Sequence, residues 1–202
     1  ADGGILHPAA CLGQLGQAAV IRVCLLLLAL ALPLRAEVLP ALHDVTGVAA
    51  DDVLNIRAAP DAAAEVIGTL APDETAVEVI SVTEGWALVN TGEGSGYASM
   101  RFLTRQDGPD WNALQTPLTC VGTEPLWSLK IDPDVGTANM VTPDDLDGYS
   151  MEINQIWRAE PGAPAAALSV PEGLIVLRPA ECSDGMSERR FGISVDVFLT
   201  RP

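Results

Sequence analysis

Aromatic side chains, histidines and basic residues are all scarce in this chain of 202 residues. Aromatics make up 4% of it, there are two histidines, and 11 lysines and arginines stand against 27 acidic residues. The resulting net charge of −16 gives a surface that repels phosphate backbones and anionic lipid, which excludes nucleic acid as a partner. With so few histidines, no Ser–His or Cys–His catalytic pair and no zinc site can be assembled from the usual ligands. His43 stands beside Asp44 and reads either as a base oriented by that carboxylate or as a solvated loop histidine. No nucleophile signature lies nearby, and the solvated reading is the expectation.

Long apolar runs are also lacking. The longest, Val23–Leu32, has half of the roughly twenty residues that a membrane-spanning helix needs. Arg22 precedes it, and Pro33-Leu-Arg-Ala36 follows with a small residue at the cleavage position. Residues 1–36 therefore read as an N-terminal extension and a secretory signal peptide, cleaved after Ala36. Translation from Val20 would give that signal peptide its usual length. Cys24 lies inside the apolar run with no cysteine just after it, so no lipoprotein anchor is expected. The mature chain is expected to be periplasmic or secreted and without a stable membrane span. Its net charge would move from −16 to −17 with the loss of Arg22, Arg35 and Asp2. Cys120 and Cys182 would be its two remaining cysteines. In an oxidising compartment they are expected to form a disulfide, with two buried free thiols as the alternative. Such a link across a loop of about sixty residues would stabilise the fold by roughly 4 kcal/mol.

What the sequence does contain is short alternating runs cut by turns. Val53–Arg57, Glu65–Leu70, Ala76–Val82, Trp86–Val89 and Tyr97–Leu103 read as strands, with Pro, Asp and Gly between them. Gln106–Asp110 is a polar break, with Trp111 placed to dock back on a domain. Beyond it Trp127–Ile131, Tyr149–Trp157, Leu174–Leu177 and Ile193–Leu199 are further strands, and Ala159–Pro164 is a loop. No segment shows a helical period. An all-β chain is expected, with domains at 37–105 and 115–202 joined by a linker at 106–114.

Residues 37–105 resemble the bacterial SH3-like domain. The marks are Leu54-Asn-Ile-Arg-Ala-Ala-Pro60, Val66-Ile-Gly-Thr-Leu70, Gly85-Trp-Ala-Leu-Val89 and Gly96-Tyr-Ala-Ser-Met-Arg-Phe-Leu103. Ala59 stands where the family usually has Gly, and Tyr97 where it often has Trp. The resemblance implies a small barrel that acts as an extracytoplasmic binding module. The second domain resembles a bacterial envelope family through Cys120-Val-Gly-Thr-Glu-Pro-Leu-Trp127 and Cys182-Ser-Asp-Gly-Met-Ser-Glu-Arg189, with Leu126 for Phe and Glu188 for Asp. It implies a β-barrel-like domain exposed to the periplasm, closed here by the one disulfide. Gly122 and Gly185 are expected to supply freedom at turns, and Trp127 to anchor the core.

The functional expectation is an exported, non-enzymatic envelope protein without cofactor or metal. Its SH3-like module would recognise cell-wall peptide or glycan, or a basic envelope protein. An inhibitor or protective factor against a lytic enzyme is one alternative, and a wall hydrolase using carboxylates is another. The first ligand-binding candidate is Tyr97, with Trp86 and Phe102 as the other aromatics of that domain; core is the default for Trp86. Arg57 is expected to pair with a carboxylate. The acidic run Thr142–Gly148 fails a calcium-loop pattern at both ends, because Pro143 falls on the first ligand and Asn154 on the bidentate one. It reads as a solvated turn. Glu188 with Arg189 and Arg190 reads as a surface ion pair.

Overall fold

The computed structural model describes residues 37–200, apart from Glu124 and residues 160–163. The expected signal peptide and its cleavage site, and most of the loop Ala159–Pro164, lie outside the described residues. Apart from two single-turn 3₁₀ segments, all regular structure described is β. From Val38 onward the chain forms one compact unit.

The first eight strands are β1 (Ala41–Val45), β2 (Leu54–Arg57), β3 (Val66–Leu70), β4 (Val77–Val79), β5 (Ser81–Thr83), β6 (Trp86–Asn90), β7 (Ser95–Ser99) and β8 (Leu103–Arg105). They pair as a five-stranded sheet in the order β3-β2-β7-β6-β5 and a three-stranded sheet β4-β1-β8. Their shared core is built from Val45, Leu54, Ile56, Val79, Val89 and Ala98. The alternation of β2 explains its part: Leu54 and Ile56 face inward, Asn55 and Arg57 outward.

Two expected strands of this half are each split in two, as is Tyr149–Trp157 in the second half, which ends at Glu152 and resumes at Gln155. Ala76–Val82 breaks at Ile80, whose N–H bonds to Leu88 O at 2.9 Å. Tyr97–Leu103 is interrupted by the 3₁₀ turn Met100–Phe102. At both breaks the chain passes from one sheet to the other, and this wraps the two sheets around one core. At Gly96 a Cβ would stand 2.7 Å from Ile56 Cγ2 and 2.8 Å from Arg57 O. Only glycine lets β7 lie this close to β2.

The second eight strands are β9 (Leu118–Thr123), β10 (Leu126–Asp132), β11 (Thr137–Thr142), β12 (Asp145–Glu152), β13 (Gln155–Arg158), β14 (Ala166–Val170), β15 (Gly173–Cys182) and β16 (Phe191–Leu199). They form two four-stranded antiparallel sheets, β12-β11-β10-β9 and β13-β14-β15-β16. The expected barrel-like domain is thus seen as two open meanders that share one core. Leu129 and Ile131 on β10, Leu168 on β14, and Ile175 and Leu177 on β15 are fully buried in it. The run read as a solvated acidic turn is a two-residue hairpin turn at Pro143 and Asp144, and β12 begins at Asp145.

Trp127 packs at the edge of this core, half-buried beside Gly122 on the neighbouring strand. A Cβ on Gly122 would lie 2.4 Å from the Trp127 ring. Gly122 is therefore required for close approach within β9, not for the expected turn. Gly185, with φ at +71°, does serve a turn.

Residues 38–40 run along the seam between the two cores. Val38 packs on the second core and Leu39 on the first, and Pro40 lies against Gly192 of β16. The segment after β8 closes over them. Trp111 is buried in the second core and its indole N–H donates to Leu39 O at 3.1 Å. Arg105 donates to Val38 O at 3.3 Å and to Asp110 Oδ1 at 2.7 Å. Gln106 Nε2 donates to Asp44 Oδ1 at 2.6 Å.

Replacing Trp111 separates the two contributions it makes. Trp111→Phe keeps most of the buried ring but leaves Leu39 O unpaired, and is expected to lower the unfolding free energy by about 1 kcal/mol. Trp111→Ala also empties the site and is expected to cost about 3–5 kcal/mol. Urea titration of the two variants checks both values.

Candidate functional site

On the outer face of the five-stranded sheet, Leu88 of β6 lies directly opposite Tyr97 of β7, and Tyr97 in turn opposite Arg57 of β2. Ala87 and Val89 point the other way, into the core. Leu88 is buried nonetheless, because this outer face is covered in part. The cover is the segment between β15 and β16, residues 183–190. Between cover and sheet runs a groove of about 950 Å³, with Leu88, Tyr97 and Ile67 on one side and Ser183, Ser187 and Glu188 on the other.

The cover is held by its backbone. The Asn90 side-chain amide acts as a strand neighbour would: its Nδ2 donates to Arg190 O at 2.8 Å, and its Oδ1 accepts from Arg190 N at 3.1 Å. Arg190 N also donates to Ser95 Oγ at 2.8 Å, and that hydroxyl donates to Asn90 Oδ1 at 2.7 Å. Two residues earlier, Glu188 N donates to Glu93 O at 3.1 Å. Inside the cover, Asp184 folds the segment on itself by accepting from the N–H groups of Met186 and Ser187, both at 2.9 Å. Those N–H groups, with Ser187 Oγ and the charge of Arg189, hold its carboxyl below the usual aspartate range. A depressed acid contributes stability that is complete above its unfolded pKa of about 3.9, and that is lost as the pH falls through the lower folded value. The turn therefore persists throughout the neutral range.

The three aromatic candidates are placed differently. Tyr97 is half-buried and lines the groove. Trp86 shares its sheet face but pairs with Thr83 and Ser99, one step along from the groove. It is half-buried and does not fill the core, which had been the default for it. Phe102 packs against the first core, with the Arg101 guanidinium 5.5 Å above its ring. Arg57 donates to Ala64 O at 2.7 Å, and so bonds a carbonyl and not the expected carboxylate.

His43 is not a solvated loop residue. It is buried in β1, where its Nδ1 bonds Ala41 O at 3.1 Å. Asp44 Oδ1 accepts from Gln106 Nε2 and from Ala76 N.

The expected disulfide is not formed in the structure: Cys120 and Cys182 are free thiols, both half-buried. They line one cavity of about 360 Å³ together with Trp127, Phe191 and Glu78. Cys182 Sγ is turned to the carbonyls of Phe191 and Ile193, at 3.7 and 3.5 Å. Burial, and then the neighbouring Cys182, push the Cys120 thiol up to about 11. Burial, followed by the charges of Glu78 and Glu181, raises Cys182 as well. Both are protonated thiols at neutral pH.

The predicted surface pair of Glu188 with its arginines is arranged otherwise. Arg190 pairs with Glu181 at 3.7 Å. Arg189 lies over the Phe191 ring at 5.5 Å. Among the described residues no cluster of three or more His, Cys, Asp or Glu is placed to hold a metal ion.

Residues 52–104 match the family model of the bacterial SH3 domain. No curated protein and no solved structure matches the chain.

Nothing in the sequence marked Glu78 of β4, which lines the cavity of the two cysteines and is raised by burial, an effect that the charge of Arg189 partly offsets. A raised acid contributes stability that is complete below its unfolded pKa of about 4.3 and is lost as the pH rises through the folded value. Glu78→Gln is therefore expected to raise the melting temperature at pH 7 and to leave it unchanged near pH 3.5, where both side chains are neutral. Thermal scans at the two values check the sign. A lower melting temperature at pH 7 would mean that the attraction of Arg189 outweighs the cost of burial.

Proposed function

We propose that this is an exported cell-envelope binding protein with no catalytic role. In this reading its SH3-like module recognises cell-wall peptide or glycan, or an envelope protein, in the groove beside Tyr97. The observation that carries the reading is the match of residues 52–104 to the bacterial SH3 domain, a binding module, together with the opening of Tyr97 of that segment onto a groove. Leu88, opposite Tyr97 on the next strand, adds an apolar side chain to the lining, and the tyrosine offers both a flat face and a hydroxyl. Rigid amphipathic contact of this kind concentrates binding energy in few residues.

Export rests on the signal-peptide pattern of residues 20–36. In an oxidising compartment the two thiols of the shared cavity would be joined by an oxidoreductase of the thiol–disulfide class, whose own disulfide is reduced in the exchange. The net charge of −16 would steer cationic partners towards the protein over several ångströms, and this attraction is screened by salt.

Tyr97→Ala is expected to weaken binding to purified cell-wall sacculi at least fivefold, with a small change in melting temperature, because the ring is half-exposed. Co-sedimentation of the mature chain with sacculi measures it. Wild-type protein that stays in the supernatant at every salt concentration would overturn the wall-binding reading.

A further inference from the structure

The groove at Tyr97 is not a property of the SH3-like segment alone. One wall is supplied by residues 183–190, nearly a hundred positions along the chain. That wall is fixed by hydrogen bonds of its backbone to Asn90, Ser95 and Glu93, so the docking does not use the Glu188 carboxylate, which lines the groove. The charges that line the space are unbalanced. Glu93 comes from the module, and Glu181 and Glu188 come from the second region. Arg190 is the one cationic residue lining it among those described, and it is engaged with Glu181 at 3.7 Å.

We propose that the Ser183–Arg190 segment is the second wall of a composite binding site. Its occupant is a short cell-wall peptide with a free ammonium group, seated with its apolar part on Tyr97 and Leu88 and its charge between Glu93 and Glu188. This deepens the wall-binding reading and rests on it. Two carboxylates that line one groove, one from each segment, act together on an ammonium seated between them and attract it more strongly than either does singly. Neither half presents both carboxylates by itself. Isolated SH3-like segments would therefore lose the preference for a free amine that the whole chain shows.

The test uses the full mature chain and a synthetic stem tetrapeptide that contains a diamino acid, with its free side-chain amine or with that amine acetylated. Calorimetric titration is expected to show at least fivefold tighter binding of the free amine by the wild type. The double variant Glu93→Gln/Glu188→Gln should bind the two peptides equally. Both glutamates are exposed and the docking bonds at these residues use backbone atoms, so this variant keeps the fold; an unchanged melting temperature confirms that. Tyr97→Ala should weaken both peptides alike.

Equal binding of the two peptides by the wild type overturns the proposal, and so does an unaltered preference in the double variant. If Tyr97→Ala still weakens binding in either case, the site is confined to the module and the wall-binding reading stands. If the wild type binds sacculi but neither peptide, the proposal fails and a glycan or protein ligand remains.

Discussion

The indole N–H of Trp111 bonded to Leu39 O, with the ring sunk in the second core, is the constraint on which the rest of the molecule depends. It fixes a strap of residues that belongs to both cores at once, since Val38 packs on one and Leu39 on the other. The strap continues into β1, the central strand of the three-stranded sheet, and so aligns the first eight strands with the last eight. Asn90 of β6 adds a second fixing, gripping both backbone groups of Arg190. With two separate fixings the halves cannot rotate freely about either one.

The groove follows from this alignment. A small β domain normally has one sheet face on its core and the other in water. Here part of the outer face is covered, which is why Leu88 is buried although its neighbours Ala87 and Val89 are the ones that reach the core. The segment that covers it is stiffened by Asp184, whose carboxylate satisfies two of its N–H groups. Polar groups that are bonded to one another are not available to compete for ligand. What remains open to the groove is the Tyr97 phenol and the carboxylates of Glu93 and Glu188.

Much of the fold was legible in the sequence, because alternation is a strong signal where one face is buried. Leu54 and Ile56, Leu129 and Ile131, and the run Ile193–Leu199 all fall on strands. β14 was missed because its Ala-Ala-Leu-Ser-Val continues an alanine-rich loop with little contrast between faces. β1 was missed because its inward histidine looks polar on paper, although His43 is buried and bonded to Ala41 O. The breaks at Ile80 and Met100 lie in runs without glycine or proline to mark them, since the sheet change is dictated by packing and not by a turn residue. At the site, Tyr97 was legible as an aromatic of the SH3-like pattern. Its second wall was not, because the docking uses backbone atoms of residues 188–190 and a side chain a hundred residues away. Gly122 was misread for a similar reason: it makes room for a tryptophan on the next strand, and composition does not reveal which neighbour a glycine accommodates. The cysteines were paired from their compartment, whereas the structure holds them as two protonated thiols around one cavity.

The central claim is that the two halves act as one unit with a site between them. Differential scanning calorimetry of residues 37–202 tests it most directly, because Cys120 and Cys182 both belong to the second half and no covalent link beyond the chain itself joins the halves. The account predicts one endotherm whose van't Hoff and calorimetric enthalpies agree, as for a single cooperative domain. Two resolved transitions, with the first unaffected by Asn90→Ala and Trp111→Phe, would contradict it.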